Sequence, residues 1–228
     1  DIKIQGLDSK YIIFLIDGNK ISAEFAGNMD FSIFNMNNID RIEIVRGGLS
    51  TVYGSGAMGG VVNIITKEPS NPYWFSYNTF YDMPKQFSNS LNIGFNINKF
   101  SYSLNGTHNN TKGYDLTKDV TDSEGTFEIN KTQEEYSSIS LDHVVKYFLN
   151  KTTFFKASYK SYSKKIKKIK YITGNTYLQS ELPHFDEKMM SVSYNKEFSN
   201  ESSIRLLYQA ENYIKSYYFP YYNTSLPF

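Results

Sequence analysis

Residues 39–67 read IDRIEIVRGGLSTVYGSGAMGGVVNIITK, and this stretch decides the fold. It opens with alternating side chains over residues 41–45, where Ile42 and Ile44 share one face and charged residues occupy the other. It closes with the β-branched run VVNIIT at residues 61–66. Glycine and other small residues fill the segment between them. The stretch therefore predicts two short strands joined by a compact, tightly turned connector.

The connector also contains a match to a nucleotide-binding motif. Residues 54–59 read GSGAMG, the G-x-G-x-x-G pattern of dinucleotide-binding loops. That pattern holds a pyrophosphate because a helix begins at its last glycine and points its N-terminus at the phosphates. Here a strand-like run follows, and Asp82, at the spacing where the motif has an acidic residue, lies in another aromatic, strand-like run. The sequence therefore favours the turned connector over a nucleotide site.

The same stretch closely resembles the end of the plug domain of TonB-dependent outer-membrane receptors. In that family a strand R-I-E-x-x-R-G leads into Y-G-x-x-A-x-G-G, and V-x-N-I-I-T closes the plug. The matching residues here are Arg41-Ile42-Glu43, Arg46-Gly47, Tyr53-Gly54, Ala57, Gly59-Gly60 and residues 62–66. Upstream, Ile16-Asp17-Gly18 matches the I-D-G turn of the family, and Gln5-Gly6-Leu7 resembles its R-G-L, with glutamine in place of the arginine.

Composition excludes several classes of function. A net charge of +1 over 228 residues provides no electrostatic argument for nucleic acid. The absence of cysteine excludes disulfides, thiol catalysis and cysteine-based zinc sites. The three histidines, His108, His143 and His184, are scattered, and neither a nucleophile elbow nor a spaced carboxylate pair is present. We therefore expect no enzyme, no metal site and no cofactor.

After residue 72 the sequence changes to repeated two-residue alternation. Glu68-Pro69-Ser70-Asn71-Pro72 marks the boundary, because two prolines interrupt any ladder of backbone hydrogen bonds. The alternation predicts about seven strands of roughly 9–12 residues, the length that a tilted strand needs to cross a bilayer. The predicted strands centre on residues 75–81, 91–97, 100–105, 139–147, 155–159, 190–198 and 204–210.

The connections between these strands alternate between short and long. Short turns are predicted near residues 98–99, 148–151 and 199–201, and two connections of about 24 residues each at 111–134 and 163–186. A soluble β-sandwich would also show alternating strands. Together with the resemblance, however, the asymmetry favours a partial transmembrane antiparallel β-barrel, about seven strands of a larger one, with a small α+β plug domain. We expect plug residues at 1–69 and barrel residues at 70–228.

The resemblance implies TonB-dependent import of a scarce nutrient across the bacterial outer membrane. The expected cargo is a ferric siderophore, haem or a corrinoid, so iron or cobalt would arrive within a small-molecule chelate. The alternative is a non-transporting receptor or an adhesion or binding barrel. The expected partners are the TonB energy-coupling protein, outer-membrane lipid and lipopolysaccharide, and the receptor is expected to be monomeric. The chain opens inside a structured pattern, so we expect a piece of a longer receptor whose TonB-binding segment is not in this sequence.

Three sets of plug residues are candidates for function. Arg41, Glu43 and Arg46 are expected to contact the barrel, since buried charges need partners; otherwise they are ordinary surface charges. Asp17, Gly18, Gly47, Tyr53, Gly54, Gly59 and Gly60 are expected to form the turns and the connector. The candidate ligand contacts are Glu24, Phe25, Asn28, Asp30 and Tyr53, the last of which is either structural or ligand-facing.

Two charged segments outside the plug have open interpretations. Residues 164–170, KKIKKIK, fall on a predicted outer loop, where they would attract the phosphates of surface lipid or an anionic ligand, or form a solvated basic strand end. Loop 111–134 carries Asp115, Asp119, Asp122 and Glu124, which form either a weak Ca²⁺ site or an acidic loop without a ligand.

Overall fold

The computed structural model describes most of the chain. The described residues are 6–7, 11–21, 24–25, 28–29, 33–46, 59–69, 71–82, 85–114, 120–121, 127–128, 132–172, 177–199, 202–219 and 221–223. Among them, no helix is long and apolar enough to cross a membrane. They form sixteen strands: β1 (Ile12–Ile16), β2 (Asn19–Lys20), β3 (Glu24–Phe25), β4 (Asn28–Met29), β5 (Ile39–Arg46), β6 (Gly60–Thr66), β7 (Tyr73–Asp82), β8 (Gln86–Ile97), β9 (Phe100–Thr111), β10 (Val120–Thr121), β11 (Phe127–Glu128), β12 (Glu135–Asn150), β13 (Thr153–Ile172), β14 (Tyr177–Glu197), β15 (Ser203–Tyr218) and β16 (Tyr221–Asn223).

The first part of the chain forms a four-stranded sheet, called the small sheet here, with the order β2-β1-β6-β5. Strand β1 runs parallel to β6, whereas β5 is antiparallel to β6 and β2 is antiparallel to β1. All five residues of β1 are buried, as expected for a continuous apolar run in the centre of a sheet. A 3₁₀ turn at Met36–Asn38 precedes β5, and the Asn35 side chain caps it by accepting a hydrogen bond from the Asn37 amide.

The rest of the chain forms a seven-stranded antiparallel meander, the large sheet. Its order is β7-β8-β9-β12-β13-β14-β15, with the short β16 paired to part of β14. Within the described residues the large sheet stays open, with β7 and β15 at its edges. The prediction of about seven antiparallel strands is confirmed.

The predicted strand length is correct for β7 to β9, which contain 10, 12 and 12 residues, but it is wrong for the later strands, and one loop was also predicted wrongly. Strands β12 to β15 contain 16, 20, 21 and 16 residues rather than about 9–12. The predicted loop 163–186 is instead the paired upper half of the β13–β14 hairpin, with only residues 173–176 between the two strands. Five lysines within seven residues, KKIKKIK at 164–170, mimic a loop in sequence, but they belong to strand β13. Residues 164–170 thus lie in a paired strand rather than in an outer loop, and whether they attract phosphates or form a solvated basic strand end stays a prediction.

The large sheet buries its polar face and exposes its apolar face. One face carries buried polar residues: Ser90, Asn92, Ser103, Asn105, Thr107, Ser138, Ser140, Lys156, Lys160, Ser191 and Ser193. The other carries exposed apolar residues: Phe75, Ile93, Ile139, Val145, Met190, Val192, Leu206 and Tyr208. A soluble sandwich would show the reverse, because apolar surface leaves water when a protein folds. This inversion is the pattern of a wall with lipid outside and a polar interior.

The small sheet packs against the polar face of the large sheet. Its core comprises Ile12, Phe14, Ile16, Ile21, Ile33, Phe34, Val62 and Ile64, and the cluster extends to Tyr162 of β13 and Met189 of β14. We call the polar face of the large sheet inward and the apolar face outward. The zone where the two sheets meet is called the seam.

Candidate functional site at the seam between the two sheets

The centre of the seam is the tight turn that joins β1 to β2. Asp17 and Gly18 have φ angles of 50° and 75°, so both central residues of the turn are left-handed, as in a type I′ hairpin. The Asp17 amide donates to the carbonyl of Ile64 at 3.0 Å, and the Gly18 amide donates to Oδ1 of Asn63 at 2.9 Å. Strand β6 therefore holds the turn in place and fixes the direction of the Asp17 side chain.

The Asp17 carboxylate connects the small sheet to the large sheet. Its Oδ1 accepts from the Thr66 amide at 2.9 Å, and its Oδ2 accepts from the Thr66 hydroxyl at 2.9 Å. The same Oδ2 pairs with Nζ of Lys156 at 3.1 Å, across the seam. Only 15% of the Asp17 side chain and 11% of the Lys156 side chain are exposed. We call Asp17, Thr66 and Lys156 the seat.

Electrostatics favour the charged form of Asp17. Burial by itself raises the pKa of this carboxyl, but the Lys156 ammonium and the two hydrogen bonds from Thr66 outweigh burial. The net result is a pKa below the ordinary value for aspartate. The seat therefore contains an ion pair at neutral pH.

Further ion pairs flank the seat on the inward face. Within the large sheet, Nζ of Lys160 lies 3.3 Å from Oδ1 of Asp142. Across the seam, Lys146 pairs with Glu68, which follows the last strand of the small sheet. Lys146, like Lys156 and Lys160, is mostly buried and has a carboxylate partner, as a buried ammonium requires.

Neutral hydrogen bonds extend the seam on both sides of the seat. Towards β8, Nδ2 of Asn35 donates to Oδ1 of Asn92 at 3.1 Å, and Nδ2 of Asn37 donates to Oγ of Ser90 at 2.7 Å. Towards β15, Nη2 of Arg205 donates to Oδ1 of Asn19 at 3.1 Å. The β1–β2 hairpin and the 3₁₀ turn are thus fastened to opposite ends of the large sheet by polar contacts.

Two glycines permit close backbone contacts at this site. Gly60 has φ of 130°, and a Cβ there would lie 2.5 Å from the carbonyl oxygen of Val45. Gly94, on the inward face of β8, lies under Pro69, and a Cβ there would lie 2.7 Å from the Pro69 ring. Glycine is therefore required where β6 begins, and it lets the segment after β6 lie directly on the wall.

The predicted plug–barrel charges lie on the exposed strand β5. Arg41 donates to Oε1 of Glu43 at 3.0 Å and to Oδ2 of Asp40 at 2.9 Å, with 59% of its side chain exposed. Glu43 also accepts from Nδ2 of Asn63 at 3.2 Å. Arg46 pairs with Gly60 at the end of the ladder. Contact of these three residues with a barrel wall stays a prediction.

The structure describes only some of the other predicted site residues. Asp17 and Gly18 form the predicted turn, and Gly59 and Gly60 precede and begin β6, with the Gly59 amide donating to the Tyr11 carbonyl at 2.8 Å. Glu24, Phe25 and Asn28 lie in the β3–β4 pair, of which the backbone is described. The remaining candidates lie outside the described residues: Asp30, Gly47, Tyr53, Gly54 and the four acidic residues of loop 111–134.

Sequence reasoning missed the residues that form the seam. Asp17 was assigned only to a turn, and Lys146, Lys156 and Glu68 were not assigned a role. One signal was present: Lys146 and Lys156 occupy the polar positions of their alternating strands. That pattern places them on the inward face, but their partners lie 78 and 139 residues away in the chain.

Comparison with known proteins agrees with this architecture. Residues 1–61 match the family described as TonB-dependent Receptor Plug Domain. The vitamin B12 transporter BtuB of Photobacterium profundum is 39% identical over 66 residues, which cover 29% of this chain and 11% of that protein. The siderophore receptor PirA of Pseudomonas aeruginosa has a similar structure, with a TM-score of 0.67 at 18% identity, covering 96% of this chain and 36% of that one. The ferric enterobactin receptor PfeA of the same organism gives a TM-score of 0.62 at 16% identity, covering 92% and 38%.

The fold and the seam define a class of protein, a plugged β-barrel of the bacterial outer membrane. Residues 1–61 match the plug domain of the TonB-dependent receptors, and the chain as a whole shares the fold of solved receptors of that kind. The small sheet is part of the plug, and the large sheet is part of the barrel wall. The chain spans only about a third of the length of the solved receptors that it resembles.

Proposed function

We propose that the complete receptor imports a scarce, metal-bearing nutrient across the outer membrane, driven by TonB. The observation that carries this proposal is the polar seam, in which a buried ion pair and side-chain hydrogen bonds hold the plug against the wall. Each such neutral hydrogen bond contributes only about 0.5–1.5 kcal/mol net, because water can replace it. A plug held in this way is positioned precisely enough to close the barrel and can still be displaced by a pulling partner.

The chemistry of the inward face supports an anionic, partly aromatic metal chelate as cargo. Beyond the seat, towards the long connections, Nζ of Lys164 lies 4.5 Å from the centre of the Tyr136 ring, and Nζ of Lys215 lies 5.5 Å from that of Phe185. Ammonium groups beside aromatic rings suit ligands that carry negative charge and flat rings. Ferric siderophores and haem have this chemistry, and a corrinoid is the third candidate. The iron or cobalt would be part of the cargo.

The proposal extends to the remaining partners and contacts. TonB is the proposed energy-coupling partner, and the receptor is proposed to act as a monomer. Glu24, Phe25, Asn28, Asp30 and Tyr53 remain the proposed ligand contacts of the plug.

A disulfide across the seam tests the proposed plug movement. These 228 residues contain no cysteine, and any cysteine elsewhere in the complete receptor is replaced by serine, so Asn37→Cys with Ser90→Cys introduces one defined pair at a position where the native side chains touch at 2.7 Å. In a receptor-deleted strain, the oxidised variant of the complete receptor should bind cargo but accumulate none, and reduction should restore uptake. The Asn37→Cys single variant is the matched control. Uptake at the normal rate by the fully oxidised double variant would refute movement of the plug past β8.

Growth tests then identify the cargo. The deletion strain is grown with single sources of iron or corrinoid: a ferric catecholate siderophore, haem, and cobalamin. A defect on one source, corrected by the intact receptor, assigns the cargo. If the receptor binds one of these compounds but no strain accumulates it, the protein is a non-transporting receptor rather than a transporter.

A further inference from the structure

Around the β1–β2 turn, the plug and the wall contribute charges of opposite sign to the seam. In the seat, the carboxylate of Asp17 belongs to the plug and the ammonium of Lys156 belongs to the wall. Further along the turn, Arg205 of the wall donates to the amide oxygen of Asn19 at 3.1 Å. Here the plug supplies one anion and one neutral acceptor, and the wall supplies two cations.

Two other ion pairs of the seam do not involve this turn. Lys160 pairs with Asp142, and both residues belong to the wall. Lys146 pairs with Glu68, which lies in the short segment that connects β6 to the first strand of the wall. That segment is attached covalently to the wall close to the pair. Both lysines therefore keep a carboxylate if the β1–β2 turn moves away, whereas Lys156 loses that of Asp17.

Lys156 is the innermost of three lysines in a row on the inward face of β13. Lys156, Lys160 and Lys164 are four residues apart, which is about 13 Å along a strand, and each is at most 9% exposed. Lys164 lies in the part of the wall that we propose to meet an anionic cargo. An anion that passed the displaced turn would next meet Lys156, because Asp142 neutralises Lys160.

We propose that displacement of the plug unmasks Lys156, with Arg205 two strands away, as an anion site that the cargo occupies in transit; this rests on the plug movement proposed above. In the closed receptor Asp17 neutralises Lys156, so the site does not exist. Once the turn has left, the ammonium needs a new counter-ion, and an anionic cargo supplies it. Fixed positive charge in a narrow lumen also repels cations. The plug thus controls the selectivity of the path as well as its opening.

The ion selectivity of the opened, complete receptor tests this proposal. The receptor is inserted into a planar phosphatidylcholine bilayer, and urea is raised until the plug gives way and a conductance appears. The reversal potential in a KCl gradient then gives the ratio of chloride to potassium permeability. The measurement needs neither TonB nor cargo, so a receptor that fails in the growth tests can still pass this one, and the two proposals fail separately.

The variants keep the turn and change the charge of the wall. Asp17→Asn is the common background, because asparagine tolerates the left-handed φ of this position and its amide oxygen can still accept from the Thr66 amide. Adding Lys156→Met should lower the chloride-to-potassium ratio about twofold, and adding Lys156→Glu about fivefold, for charges roughly 8 Å from the ion path at about 0.1 M salt. The background alone should open at lower urea with the ratio of the wild type. The control, Asp142→Lys with Lys160→Glu, exchanges charges within the wall and should change the ratio by less than about 1.5-fold.

Block of the opened conductance by citrate, a carboxylate polyanion, measures anion binding. Citrate should block the Asp17→Asn background at about tenfold lower concentration than the same background with Lys156→Glu. An unchanged ratio after Lys156→Glu, an equal shift in the control, or equal block by citrate overturns the proposal. A wild type that opens no conductance before the barrel unfolds also overturns it. If the Lys156→Glu variant does not fold, as its unfolding temperature shows, the twofold shift of the Lys156→Met variant decides.

Discussion

Replacing Lys156 with methionine removes the wall-side charge of the seat and keeps a side chain of similar length. The Asp17 carboxylate then stays buried with its two hydrogen bonds from Thr66 but without its counter-ion. Removing one partner of a buried ion pair typically costs about 3–5 kcal/mol. Because Thr66 still solvates the carboxylate, we expect the lower end, ~3 kcal/mol, which corresponds to a factor of roughly 150 in the opening equilibrium of the turn.

Hydrogen exchange in the complete receptor measures this opening. The Thr66 amide donates directly to Asp17, so its exchange rate reports the integrity of the seat. Lys156→Met should accelerate exchange of this amide by about 100-fold or more, and Lys151→Met, at an exposed turn, should leave it unchanged. A change below about threefold in Lys156→Met would refute the seat as a source of plug stability.

The same variant changes the pH dependence of plug stability. The pKa of Asp17 is lowered in the folded protein, so its contribution is complete above the ordinary pKa of aspartate and is lost as pH falls through the lowered value. In Lys156→Met, burial is no longer opposed by the ammonium, so the folded-state pKa of Asp17 rises towards or above its unfolded value, and the loss of stability at acid pH should shrink or reverse. Calorimetric unfolding of the plug between about pH 3 and 7 measures both curves. An identical acid limb in wild type and variant would contradict this electrostatic account.

Three further predictions concern the plug connector and the outer surface. In a chemical unfolding experiment, Gly60→Ala should destabilise the plug by about 2–4 kcal/mol, because its Cβ would meet a backbone carbonyl at 2.5 Å and its φ is positive. The control Gly6→Ala, at a residue with a positive φ but open space around it, should cost about 1 kcal/mol in the same experiment. Val192→Arg should reduce barrel stability by about 2 kcal/mol in refolding titrations, because this side chain lies in the outward apolar band. Ser163→Arg, further along the β13–β14 hairpin towards its long end, should cost about 0–1 kcal/mol. Arg46→Ala in the complete receptor should loosen the plug; unchanged transport together with unchanged unfolding would contradict a contact between Arg46 and the barrel.

Local sequence patterns predicted the architecture because they report which face of each strand meets water. The two-residue alternation after residue 72 predicted the number of strands, their antiparallel order and the polar face that carries Lys156. The Asp17-Gly18 pair predicted a hairpin because few residue pairs tolerate two left-handed φ angles in succession. Alternation failed at residues 163–186, where lysines replaced apolar residues because that part of the hairpin extends beyond the apolar band.

Pairing across the seam was not accessible to the same reasoning. Asp17 and Lys156 are 139 residues apart, and Glu68 and Lys146 are 78 residues apart. Alternation places Lys156 and Lys165 on opposite faces of the same strand, but it does not say which carboxylate either lysine would meet.

By itself, the sequence determined the strands and the Asp17-Gly18 turn, since strand periodicity and turn residues are local properties, and the resemblance of residues 39–67 added the expectation of a plug and a barrel wall. Only the tertiary structure decided which charges connect the two. A buried carboxylate selects its partner by distance and burial, and those depend on how the small sheet packs against the large one. The stretch at residues 39–67 therefore identifies the plug, while the turn at Asp17 and the lysine at position 156 decide how it is held.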